Sequence, residues 1–260
     1  MKIGFFDSGL GGLLMLKSVA KFLPEYDYEF YGDTSNLPYG NKTEAEIFEL
    51  TKKGVLHLFQ KKCALVIIAC NTASAATTRR LQDELLKNEY KDRKILGVII
   101  PTVEEVIEFD CKQVLLIGTN RTIDSGKYKL EFSRYENAPK LISVATPELV
   151  PKIENGDIEN AVREVLTVVK ENEGIDALIL GCTHYAILKQ KISEQLSVAT
   201  IKIFSQDEII PKKLESYLAN HKEVTDMLTR AGGRNIHLTD NNPRYDSVIQ
   251  ELLGGAFIAD

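Results

Sequence analysis

This 260-residue chain lacks the usual marks of a membrane, nucleic-acid or metal protein. No apolar run approaches the ~18 residues that a spanning helix needs. Net formal charge is -5 and no block of lysine and arginine appears, so the positive stripe that nucleic acid demands is missing. Only four cysteines occur, at 63, 70, 111 and 182, with no CxxC pair and no zinc-finger spacing to the histidines. The N-terminus, MKIGFFDSGLGG, has neither the longer apolar core nor the small-residue cleavage site of a signal peptide. Long linkers and low-complexity tracts are absent as well. Together these absences predict a cytoplasmic protein with free thiols, no bound metal, and neither membrane nor nucleic acid as a partner.

What is present is ordinary globular composition, 44% hydrophobic and 27% charged, with length for one large or two medium domains. Short apolar runs alternate with helical patterns. Strands are expected over Lys2–Asp7, Tyr28–Asp33, Ala64–Ala69, Ile95–Ile100, Gln113–Thr119, Lys140–Ala145, Ala177–Cys182 and Lys202–Ser205. Several, such as ALVIIA and DALILG, are apolar throughout, as parallel strands covered on both faces are. Between them, Thr43 and Glu46 form a capping box ahead of a stripe of Ile47, Leu50, Thr51, Gly54, Val55 and Leu58. Residues 157–173 carry a second stripe of Ile158, Ala161, Val162, Val165, Val168 and Val169. This alternation predicts an α/β fold with mostly parallel sheets.

A weak internal repeat divides the chain. Strand-end Asp7 lies 63 residues before Cys70, and strand-end Thr119 lies 63 residues before Cys182. An offset of 112 therefore superposes both pairs, and near it LPYGNK (37–42) faces LVPKIE (149–154). The expectation is two similar flavodoxin-like or Rossmann-like domains, residues 1–96 with 207–260 and residues 97–206, with a site in the cleft between them. The tail from Asp207, with two helical patterns and the apolar piece Ile236–Leu238, is expected to pack back on the first half.

Ligands of open parallel sheets bind at the carboxyl ends of strands. The polar residues expected there are Asp7-Ser8, Asp33, Cys70-Asn71-Thr72, Thr119 and Cys182-Thr183-His184. Cys70 and Cys182 hold equivalent places, each followed by a candidate N-cap, Asn71 or Thr72 in one case and Thr183 in the other. Helical patterns then run over Ala73–Lys87 and Ala186–Leu196. A thiol at a helix N-terminus feels unpaired N–H groups and the positive end of the dipole, which lowers its pKa below ~8.5. Cys63 and Cys111 lack such flanks and read as core packing. Of the histidines, His57 and His221 fall in helical patterns and His237 in a short strand, which leaves His184 as the one beside a reactive thiol. The run Asp7-Ser8-Gly9-Leu10-Gly11-Gly12 fits neither dinucleotide nor P-loop spacing. Its glycines suit an amide-lined carboxylate pocket or a plain tight turn. Pro38-Tyr39-Gly40 reads as a turn, with contact to a ligand an added option.

Taken together, DSGLGG (7–12), YGDTSNLPYG (31–40), ACNTAS (69–74), GVIIP (97–101), GTNRTIDSGKY (118–128), VPKIE (150–154) and GCTHY (181–185) resemble the aspartate/glutamate racemase family, and within it the glutamate racemases. The match runs from residue 2 to about 190, and LTDNNPRYDSVIQELLG (238–254) looks like the family's final strand and helix. The resemblance implies a cofactor-free enzyme that interconverts L- and D-glutamate for bacterial peptidoglycan. It implies catalytic cysteines at Cys70 and Cys182, and supporting acid–base roles at Asp7, His184, Asp33 and Glu154. Substrate contacts are implied at Asp7, Ser8, Pro38, Tyr39, Gly40, Asn71, Thr72, Thr119, Thr122, Thr183 and His184. Ala186 departs from the family, which usually has proline there; a helix start favours proline without requiring it.

Racemisation needs one base on each face of the α-carbon, and two matched halves with one cysteine each would supply them. Asp7 could adjust the proton on Cys70, and His184 that on Cys182. Backbone amides after Ser8, Asn71 and Thr183 are candidates for holding the carboxylate. Other readings stay open: an aspartate racemase or related two-cysteine isomerase, a cysteine hydrolase using Cys182 with His184, or a non-catalytic nucleotide-binding module. Against the hydrolase, residues two apart at a strand end look poorly placed as a nucleophile–base pair. The sequence leaves a homodimer open.

Overall fold

The computed structural model describes residues 1–196 and 201–240, and beyond them residues 242, 243, 245, 249, 258 and 259. Among the described residues the strands, in chain order, are β1 (Lys2–Asp7), β2 (Tyr28–Gly32), β3 (Cys63–Ile68), β4 (Lys94–Gly97), β5 (Gln113–Gly118), β6 (Lys140–Ala145), β7 (Ala177–Gly181), β8 (Lys202–Phe204), β9 (Arg234–Leu238) and β10 (Ile258–Ala259). They form two sheets, ordered β10-β9-β2-β1-β3-β4 and β6-β5-β7-β8, and every pairing in both is parallel. Counted within each set, β1–β4 and β5–β8 follow the same order, 2-1-3-4, the winding of flavodoxin-like folds. The internal offset in the sequence therefore has a topological counterpart: β1 corresponds to β5 and β3 to β7.

The long apolar runs become strands because helices cover both faces of each sheet. β3 is buried from end to end, and β1 from its second residue onward. Helix Glu44–Gln60 starts at the expected capping box, with Thr43 and Glu46 bonding each other's backbone. It buries Ile47, Thr51, Gly54, Val55 and Leu58 and leaves Leu50 half-buried. Helix Ile158–Glu171 likewise buries Ala161, Val162, Val165 and Val169, with Ile158 and Val168 at its margins. One run was divided differently. The strand expected over Ile95–Ile100 ends at Gly97, and Ile99 opens helix Ile99–Glu108. A short apolar run cannot by itself separate a buried strand from a buried helix. His221 also differs, because it lies between helices Gln206–Asn220 and Lys222–Thr225 rather than inside one.

The tail returns to the first half, as expected. β9 pairs with β2, Phe30 against Ile236, and Ile210, Leu214 and Leu218 join the core beneath β1. Ile209, one residue from Ile210, joins the core of the second sheet, so helix Gln206–Asn220 touches both halves. The helix expected within 238–254 falls mostly outside the described residues. Among the described residues no helix is long and apolar enough to cross a membrane.

Candidate active site

Parallel pairing puts the carboxyl ends of neighbouring strands side by side. Asp7 is level with Gly32, Phe6 with Ile68, and Gly118 with Gly181. The loops leaving these ends, from both sheets, enclose one cavity of about 90 Å³. A water needs roughly 10–15 Å³ of such space, so the cavity suits a molecule of amino-acid size. Ser8, Pro38, Tyr39, Gly40, Cys70, Asn71 and Thr72 line it from the first half. Thr119, Cys182, Thr183 and His184 line it from the second. Of the other residues singled out by sequence, Asp7, Asp33, Thr122 and Glu154 stand behind this lining.

Cys70 is itself the N-cap of helix Asn71–Leu81, a role the sequence had given to Asn71 or Thr72. Its Sγ accepts from the Ala73 N–H at 3.5 Å and from the Ser8 hydroxyl at 3.2 Å. The expected lowering of this thiol's pKa does not occur. Burial and the neighbouring Asp7 carboxylate push it up to about 12, outweighing the Ser8 and Ala73 donors. The dipole effect fades within a turn, whereas removal from water acts on the whole group.

Cys182 is followed by a 3-10 segment, Thr183–Leu188, and the α-helix begins only at Lys189. The tighter turn swings His184 back toward the thiol, and Nδ1 lies 3.8 Å from Cys182 Sγ. The two-residue spacing therefore does bring the pair together, contrary to the objection raised from sequence. The other ring nitrogen, Nε2, is 3.4 Å from Glu154 Oε1. Burial pulls the imidazole pKa down, but Cys182, Glu154 and Asp7 raise it to about 10. His184 is thus held as imidazolium at neutral pH, and a cation at this distance stabilises negative charge on sulfur.

Asp7 is fully buried at the seam between the two halves. Oδ1 accepts from the Gly9 N–H at 2.8 Å, while Oδ2 is buried without a well-formed hydrogen bond. Burial raises its pKa, and the His184 charge, the Gly9 amide and the Thr183 hydroxyl oppose that. One carboxylate therefore acts on Cys70 and on His184 together. The glycines of the first loop serve this seam rather than a phosphate. A Cβ on Gly11 would stand 2.6 Å from Thr183 Oγ1 and 2.9 Å from the His184 backbone nitrogen, and one on Gly12 would stand 2.7 Å from Asp7 Oδ2.

The remaining polar residues fall into three groups. Tyr39 donates its hydroxyl to Asp33 Oδ2 at 2.6 Å, and Asp33 Oδ1 also accepts from Asn36 and Thr239. Asp33 thereby anchors the Pro38-Tyr39-Gly40 turn to the tail and does not itself reach the cavity. Thr72, Thr119 and Thr122 form a triangle of hydroxyls with oxygens 2.8, 3.0 and 3.3 Å apart, bridging the halves. Asn71 pairs with Gln206, amide to amide, beside Tyr128 and Thr102. Sequence reasoning missed Gln206. It lies just past the carboxyl end of β8, at the first residue of helix Gln206–Asn220. No group of three or more His, Cys, Asp or Glu among the described residues is placed to hold a metal.

Comparison with known proteins adds a family. Residues 14–204 match the model of the Asp/Glu/Hydantoin racemase family. A glutamate racemase of Dinoroseobacter shibae is 33% identical over 94% of this chain and 92% of its own length. Among solved structures, the glutamate racemase of Francisella tularensis in complex with D-glutamate superposes with a TM-score of 0.85 at 30% identity, covering 99% of this chain and 95% of that one. A glutamate racemase isoform of Bacillus anthracis superposes with a TM-score of 0.88 at 29% identity, covering 100% and 96%.

Proposed function

The chain belongs to the Asp/Glu/Hydantoin racemase family, and from that footing we propose that it interconverts L- and D-glutamate without a cofactor, in the cytoplasm, supplying D-glutamate for peptidoglycan. The observation that carries the reading is the pair of thiols, Cys70 and Cys182, at corresponding strand ends of two equally wound sheets and facing one small cavity. Only such a pair offers a proton carrier to each face of one α-carbon. A hydrolase built on Cys182 and His184 would leave Cys70 and Asp7 without a task.

The two thiols differ in their surroundings, Asp7 and Ser8 beside Cys70 and His184 beside Cys182. Cys70, with its pKa pushed up, holds its proton. Cys182 lies against the His184 ring, Sγ 3.8 Å from Nδ1, and is the sulfur we assign as the base in the direction described next. In one direction the Cys182 thiolate takes the α-proton and the Cys70 thiol donates its own to the opposite face. The turnover ends with the thiol on Cys182 and the thiolate on Cys70, the state from which the reverse direction starts. Asp7, in charge contact with Cys70 and His184, links the two protonation states. Asn71, Thr72, Thr119 and Thr183 present hydrogen-bonding groups to the substrate, with Thr122 holding Thr72 and Thr119 in place, while the Ser8 hydroxyl donates to Cys70 Sγ. Donors arranged before the reaction are what a developing carbanion needs. Asp33 and Glu154 act as positioning residues, through Tyr39 and His184.

The test is incubation of pure protein with L-glutamate in D2O without added cofactor, followed by NMR and chiral analysis. Deuterium at the α-carbon and accumulation of D-glutamate are expected. Cys70→Ser and Cys182→Ser should each abolish both directions, because a serine hydroxyl is too weak an acid to stand in for a thiol. Comparable turnover of aspartate would change the substrate, and near-normal racemisation by either variant would end the two-thiol scheme.

A further inference from the structure

Asn71 lines the cavity next to Cys70, yet most of its amide is already engaged. A primary amide has two N–H donors and two acceptor lone pairs. Asn71 Oδ1 accepts from the Tyr128 hydroxyl and from Gln206 Nε2, both at 2.8 Å. One N–H of Asn71 Nδ2 donates to Gln206 Oε1 at 2.7 Å. A single N–H is left. Gln206 Nε2 also reaches the Tyr128 hydroxyl at 3.0 Å and the Thr102 hydroxyl at 3.4 Å. All four side chains are buried, none more than 3% exposed, so water cannot substitute for a lost partner. Burial holds the Tyr128 phenol well above its ordinary pKa, and it stays a donor.

The four residues come from four separate elements. Asn71 opens the helix after β3, Thr102 lies on helix Ile99–Glu108, Tyr128 on helix Lys127–Phe132, and Gln206 opens the helix after β8. The cluster therefore joins both halves directly behind the Cys70 loop. Gln206 also borders the small space beside Cys182 and Thr183. A free asparagine amide would rotate about its last torsion, whereas one held on both ends by a second amide cannot.

We propose that Gln206 is a positioning residue: paired hydrogen bonds to Asn71 and Tyr128 lock the Asn71 amide so that its one unused N–H is presented to a carboxylate of the substrate. The inference rests on the glutamate reading of the cavity. The lock forms before substrate arrives, so the donor costs no reorganisation on binding. It serves ground state and transition state alike, and such an interaction shows in KM rather than in kcat.

The experiment compares wild type with Gln206→Met, which keeps length and removes every polar contact, and Gln206→Glu, which keeps the acceptor and loses the donor. If the first fails to fold, the second retains shape and the bond from Asn71 Nδ2 to Oε1. Racemisation kinetics are read beside NMR of protein carrying 15N only in asparagine, titrated with D-glutamate. In wild type the two Asn71 amide protons should be widely split, and one should move on titration. In folded Gln206→Met the splitting should collapse to that of a free amide, and in both variants KM should rise about tenfold with kcat within about threefold. KM within twofold of wild type, a loss confined to kcat, or a wild-type Asn71 signal indifferent to D-glutamate would overturn the proposal. A wild type that racemises no glutamate overturns the functional reading instead. The Asn71 splitting in Gln206→Met then still decides the lock: collapse to the free-amide value supports it and persistence removes it.

Discussion

At His184, burial and charge compete over a single ring. Burial alone would leave a neutral imidazole. The thiol on one nitrogen and the carboxylate on the other, with Asp7 behind, bring the pKa to about 10. The raised value also stabilises the fold. That contribution is complete below the ordinary 6.5 and is lost as pH climbs through about 10. The same proton should govern the alkaline limb of catalysis in the direction that starts from thiolate on Cys182. Glu154 is more than a third exposed, so its influence is screened. Glu154→Gln should therefore move the alkaline limb of kcat/KM to lower pH by less than about one unit, with kcat at neutral pH nearly kept. An unmoved limb would take Glu154 out of the His184 relay.

At the scale of elements, the site is made by how one helix start meets one turn. Helix Gly12–Phe22 begins against the Thr183–Leu188 segment, and Gly11 leaves the room for it. In Gly11→Ala the new Cβ would press on backbone as well as on Thr183 Oγ1, and backbone cannot swing aside. Helix and turn must part, drawing Asp7 away from His184. Misplacement of this kind costs on the order of 100-fold in kcat/KM. Gly174→Ala is the companion, because a side chain at its φ of +81° strains the backbone away from the cavity lining, with only Gln113 Nε2 near, at 3.6 Å. Rates that fall equally in both variants, with equal melting temperatures, would show that the first contact is unimportant. Strand positions, the capping box and the strand-end residues were legible in the sequence, because apolar runs and cap spacing are local properties. The 3-10 turn after Cys182, the upward shift at Cys70 and the role of Asp33 were not. Each is set by what packs against the residue: Asp7 and burial at Cys70, and Tyr39 with Thr239 at Asp33. Gln206 was within reach of the strand-end rule, but nothing local ties it to Asn71, 135 residues away.

For the whole molecule, the cavity lies inside the seam, and its two thiols are only 6% and 9% exposed. Both halves line the cavity, and we propose that residues 1–96 with 207–260 move against residues 97–206 as substrate enters. Helix Gln206–Asn220, with Ile210 in one core and Ile209 in the other, lies at the crossing. Bound glutamate would touch both halves and hold them closed, so it should both stabilise the fold and shield the thiols. At 100 times its dissociation constant a ligand adds about 2.7 kcal/mol, worth roughly 5–10 °C in melting temperature for a chain of this size. Shielding separates closure of this cleft from general tightening, because the protein carries its own control. Cys111 is as exposed as Cys182, at 9%, but it packs in the core beside β5, away from the cavity lining. Iodoacetamide labelling read by peptide mass spectrometry should slow at least tenfold at Cys70 and Cys182 when glutamate is added, and stay within twofold at Cys111. Equal slowing at all three thiols would mean that glutamate stiffens the molecule as a whole. Unchanged labelling at Cys70 and Cys182, with racemisation intact, would mean that the halves part as freely with substrate as without it, and the closing seam would have to be abandoned.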